Sequence, residues 1–165
     1  MANYVITNST QNAGTVQVAI TANSSQGSTI TVVASTISGQ VCRGKVYDMM
    51  VGTIGTPADS FCAWSLYRVT TIGGSTATSV VTGQALDPAD SVPRSYSLAN
   101  STTMGTVASS GEAWYVGVNQ RASYRWVAAP GSEIVWPATS SNGVTLRVSG
   151  TATVTPSAAM YFQEQ

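Results

Sequence analysis

Ser141-Asn142-Gly143-Val144-Thr145-Leu146-Arg147-Val148-Ser149 is the stretch that decides the fold. Val144, Leu146 and Val148 alternate with Thr145, Arg147 and Ser149, so an extended backbone presents one apolar and one polar face. The Asn-Gly step ahead of it supplies the positive φ at which a hairpin reverses. A helix would scatter these apolar side chains around its circumference, so the segment reads as a half-buried β-strand opening at a tight turn.

The same grammar recurs along the chain. Val16, Val18 and Ile20 alternate with Thr15, Gln17 and Ala19, and Ile30, Val32 and Ala34 with Thr29, Thr31 and Val33. Trp114, Val116 and Val118 share a face, as do Tyr124 and Trp126, and near the end Met160 and Phe162 stand opposite Tyr161 and Gln163. Turn residues separate these runs at Asn23-Ser24-Ser25-Gln26-Gly27, Ile72-Gly73-Gly74-Ser75 and Ala129-Pro130-Gly131. About nine strands follow, at the spacing of a sandwich or barrel. Residues 87–110 differ: Asp87-Pro88-Ala89-Asp90 suits a single helical turn, with Asp87 as cap, and residues 91–110 read as one long polar excursion. The expected fold is a single all-β domain over residues 1–165, an antiparallel β-sandwich of jelly-roll type. An immunoglobulin-like sandwich is the lesser alternative, because Trp64 follows both Cys42 and Cys62 where that fold places a tryptophan between its cysteines.

Composition narrows the chemistry. The chain has no histidine, one lysine (Lys45) and 8% charged residues, where soluble domains carry roughly a quarter. Ser and Thr together occupy 44 positions, and seven basic residues balance seven acidic ones. With 43% hydrophobic residues this is a folding composition rather than a disordered one. Phosphate backbones need clustered cations, so no direct contact with nucleic acid is expected. No run approaches the ~20 apolar residues of a membrane helix, and Met1-Ala2-Asn3-Tyr4 lacks the charged start of a signal peptide. So little charge leaves little repulsion between copies, which favours association.

Without histidine, Ser–His–Asp and Cys–His centres cannot be built. A Ser–Lys centre would need Lys45, whose position suits a solvated charge at a strand end. Cys42 and Cys62 fall short of a zinc ligand set and are expected as small unpaired thiols. Asp48, inside a strand, is expected to be salt-bridged to an arginine or hydrogen-bonded rather than catalytic, whereas Glu164, beside the terminus, is expected in solvent. No enzymatic centre, metal or cofactor is expected. Of the four tryptophans, Trp114 and Trp126 fit the apolar phase and are expected as core filling. Trp136, before Pro137 at a strand end, is the candidate contact residue.

Three stretches carry a resemblance. Val46-Tyr47-Asp48-Met49-Met50-Val51-Gly52-Thr53, leading into Gly55-Thr56-Pro57-Ala58-Asp59, is one. Ala122-Ser123-Tyr124-Arg125-Trp126-Val127-Ala128-Ala129-Pro130-Gly131-Ser132-Glu133-Ile134-Val135-Trp136-Pro137-Ala138-Thr139 is the second, and the ending Met160-Tyr161-Phe162-Gln163-Glu164 the third. Together they resemble the small all-β virion proteins of tailed bacteriophages, of the capsid decoration or cement type. The resemblance implies a non-enzymatic structural protein on the capsid exterior, made in the host cytoplasm without a signal peptide. Its implied partners are the major capsid protein of the same virus and other copies of itself, as a homotrimer. Residues 52–60 and 91–110 are then the expected reaches toward neighbours, which makes Pro57, Asp59, Tyr96, Leu98, Met104, Trp136 and Pro137 the candidate interface. A tail-fibre or head-fibre adhesin domain is the first alternative and would bind glycans through Trp136 or its neighbours. A jelly-roll coat protein of a small virus is the second, disfavoured because residues 1–19 hold no Lys or Arg for genome packaging.

Overall fold

The computed structural model describes residues 1–8, 28–35, 37, 39–73, 79–101, 103–150 and 155–165. The expected strand at residues 15–20, the turn at 23–27 and half of the turn at 72–75 lie outside them. The described residues form twelve strands: β1 (Asn3–Thr7), β2 (Ser28–Val33), β3 (Gly44–Thr53), β4 (Phe61–Val69), β5 (Ser79–Val80), β6 (Gln84–Ala85), β7 (Tyr96–Ser101), β8 (Val107–Asn119), β9 (Tyr124–Val127), β10 (Ile134–Trp136), β11 (Gly143–Gly150) and β12 (Pro156–Glu164).

They form two antiparallel sheets. The first runs β10-β3-β12-β1-β6, with β9 sharing the outer edge of β3 with β10; the second runs β5-β7-β2-β11-β4-β8. The pairing is nested: β1 lies against β12, β2 against β11, β3 against β9 and β10, and β4 against β8. A long hairpin wound so that its successive strands pass between two sheets gives this order, and it is the jelly roll. The count exceeds nine for two reasons. β9 and β10 split one edge between them, and the connection from β4 to β8 carries three strands of its own.

That connection corrects the reading of residues 91–110 as an excursion. β6 extends the first sheet beyond β1, and β7 extends the second beyond β2. Ser97, Leu98, Ala99, Asn100 and Ser101 are all buried, small enough to lie in a sheet interior without apolar periodicity announcing it. Asp87 starts a turn and not a helix, its carboxylate accepting the Ala89 amide at 2.9 Å.

Between the sheets, Tyr4, Ile6, Ile30, Val32, Val46, Met49, Trp64, Leu66, Val144, Leu146, Met160 and Phe162 form one core. β12 keeps perfect alternation, with Ala158, Met160 and Phe162 inward and Ala159, Tyr161 and Gln163 outward. β3 does not. A register shift between Tyr161 and Phe162 sets two residues of β3 against one step of β12, which lets Val46 and Met49, three apart, both reach the core. The polar face of β11 is covered as well: Thr145 is fully buried beside Thr31, their hydroxyls 2.7 Å apart.

Candidate functional site

Every ionisable cluster among the described residues has structural work. Asp48, at the β3 bulge and 5% exposed, receives Nε of Arg125 at 3.1 Å and Nη2 at 2.5 Å, a two-pronged pair that ties β9 to β3. The arginine expected beside Asp48 is thus Arg125. Lys45 lies 3.0 Å from Glu133, whose carboxyl is held below its usual range by a backbone amide first and by Lys45 second.

Glu164 departs from expectation. It is buried because β12 continues in register to Glu164 opposite Gly44. Its carboxylate accepts the amides of Arg94 at 3.1 Å and Ser95 at 2.8 Å, so it pins the approach to β7. Cys42 lies within reach of this carboxylate, and burial first, then the Glu164 charge, push its thiol up to about 11. Cys62 is raised by burial too, and the two thiols are buried and unpaired. No group of three or more Cys, Asp or Glu stands together as a metal site among the described residues.

The seven candidate interface residues do not converge. Trp136 is fully buried, which removes it as a contact residue. β10 sets it directly opposite Gly44, and the indole lies over that glycine, 5.8 Å from the Phe162 ring. Pro137, next along, is exposed. Leu98 is 4% exposed and Tyr96 half-buried on β7, at the far side of the second sheet from β8, whereas Met104, half-buried, lies in the connection leading into β8, beside Gly73. Pro57 and Asp59 sit elsewhere again, tied to the turn after β8. There Gln120 is buried and serves as a peg: its carbonyl accepts the Thr53 hydroxyl at 2.5 Å, its side-chain oxygen accepts the Ala58 amide at 3.1 Å, and Asn119 donates to Asp59 at 2.5 Å.

The surface that does present aromatics is the open side of the sandwich, where the edge strands β8 and β9 face each other. Trp114 lies 6.0 Å from Tyr124 and 6.4 Å from Trp126, ring centre to ring centre. Both indoles pack against the core yet are half-exposed, and Tyr124 is exposed. Tyr115 (57% exposed), Phe61 (51%) and Val127 (58%) are exposed as well, but strand alternation turns them to the outer faces of their sheets, away from this opening. The alternation of β8 places Trp114 on the correct face; what it cannot show is that β8 is an edge, with no further strand among the described residues to close over the indole. Trp136 is therefore a core residue, while Trp114 packs against the core as expected but keeps an exposed side as well.

Comparison with models of protein families, with curated proteins and with solved structures found no match. Function is argued from this surface and the fold beneath it. Chemically, the open side offers ring faces, aliphatic groups and unpaired strand backbone. Its strongest charge pair, Asp48 with Arg125, is already neutralised within the chain.

Proposed function

We propose that this chain is a non-enzymatic virion structural protein, a capsid decoration or cement protein that binds the assembled head of a tailed bacteriophage. One observation carries the reading: the ion pairs among the described residues hold strands and loops of the fold together, while the rings of Trp114, Tyr124 and Trp126 stand partly exposed side by side at one open side. That distribution suits contact and not turnover, since charge-depleted surfaces enriched in aromatic residues are those that pack against other proteins. A jelly roll is a fitting carrier, being rigid and closed on most sides. The proposed partners are the major capsid protein and further copies of this chain, on the outside of the shell. A protein that binds the assembled lattice and not its loose subunits stabilises the assembly by mass action. Purified protein added to emptied, expanded heads lacking it is expected to bind stoichiometrically and to raise their disruption temperature. Absence of binding would sink the proposal.

The half-exposed Trp114, Tyr124 and Trp126 rings favour one second reading, an adhesin domain of a tail or head fibre that stacks sugar rings. Binding on a glycan array, lost in Trp114→Ala and without capsid co-sedimentation, would select it.

A further inference from the structure

We infer that the free edge of β8 pairs with β8 of a second copy, antiparallel about a two-fold axis near Val116, joining the second sheets of two subunits into one. β8 is the longest strand of the described chain, and β4 is its only strand partner there. Its other edge is a row of unpaired backbone donors and acceptors, the form in which strands recruit other strands. Edges that must stay alone carry lysine, proline or inward charge. Between Val107 and Asn119 there is no lysine and no proline, and Glu112 is the only charge.

The register explains the second copy as occupant. β8 pairs irregularly with β4 before Trp114, but Trp114–Asn119 lies in unbroken register with Phe61–Leu66. An axis at Val116 sets Trp114 against Val118 of the other copy and Tyr115 against its Gly117. Phe61 lies across the face of Gly117, where an added Cβ would come within 2.5 Å of its ring. Tyr115 of one copy therefore arrives beside Phe61 of the other, and the two most exposed aromatics of this sheet cover each other twice per pair. A parallel in-register pairing would instead set Glu112 against Glu112 of the other copy, like charge against like. A two-fold contact also consumes both free edges at once and leaves none to propagate. It is compatible with a trimer held by a different surface, because shells contain two-fold as well as three-fold axes.

The test needs no capsid. Light scattering on the full chain is compared with Val116→Lys, which places two lysines face to face on the axis. The variant's particle mass is expected to be half that of the parent, with its circular dichroism retained. Equal masses overturn the inference. Independently of how that variant folds, Val116→Cys under mild oxidation, quenched by alkylation before denaturation, is expected to give a crosslinked pair. Val118→Cys, which faces Trp114 of the other copy, is expected to give little. Crosslinking of Val118→Cys equal to or above that of Val116→Cys overturns the assigned register and with it the pairing.

Discussion

Replacing Trp136 by alanine is expected to be among the most damaging single changes this chain can suffer. The indole is fully buried between Gly44 and Phe162. A buried tryptophan removes on the order of 200 Å² from water, about 5 kcal/mol at ~25 cal/mol per Å². Truncations of this kind cost about 3–5 kcal/mol by measurement. For a chain of this size that lowers the midpoint by roughly 6–20 °C, at about 2–4 °C per kcal/mol. Its indole N–H has no partner, so Trp136→Phe, which deletes that orphan, is expected to cost clearly less than Trp136→Ala. Gly44 supplies the decisive control. A Cβ there would fall 2.1 Å from the indole ring, so Gly44→Ala alone overpacks the site, a class of change worth about 1–3 kcal/mol. In the Trp136→Ala background the same methyl enters vacated space and should cost nothing or recover stability. The double-mutant cycle, by urea denaturation followed with far-UV circular dichroism, is thus expected to show strong coupling between positions 44 and 136. Additive effects, or a Trp136→Ala loss below about 1 kcal/mol, would refute the packing described and return Trp136 to the surface.

The Cys42 thiol ionises near 9.0 when unfolded and only at about 11 in the fold, so native protein binds the extra proton between those values. Its contribution is complete below pH 9 and lost as pH rises through 11, and the Cys62, Tyr4 and Tyr47 groups, all raised, act in the same direction. Urea midpoints should fall between pH 9 and 11, less steeply in Cys42→Ala; a flat profile would contradict the burial of these groups. Glu164→Ala removes the acceptor of two backbone amides at the approach to β7 and should cost on the order of 2–3 kcal/mol. Proteolysis near residues 91–95 should rise with it, whereas unchanged stability would mean that this carboxylate is solvated.

The comparison of reading with structure turns on particular residues. β11 and β12 were legible because one of their faces is apolar and the other polar. β7 was not: Ser97, Ala99, Asn100 and Ser101 are small or polar, and they are buried because β2 and the β5 backbone flank them. The Asp48 pairing was legible as a type, though not its partner Arg125, which is brought alongside only when β9 docks on β3.

Sequence alone determined that this chain is a strand-rich sandwich with no histidine chemistry, because alternation and composition act locally and need no knowledge of neighbours. Tertiary structure alone decided which aromatic residues are available. Trp136 and Trp114 both obey strand periodicity, but β10 closes the first over Gly44 at the core, and β8 leaves the second at an edge that nothing in the described chain covers. Periodicity fixes the face to which a side chain points; whether that face meets core or solvent depends on the strands beside it, and those are set by topology.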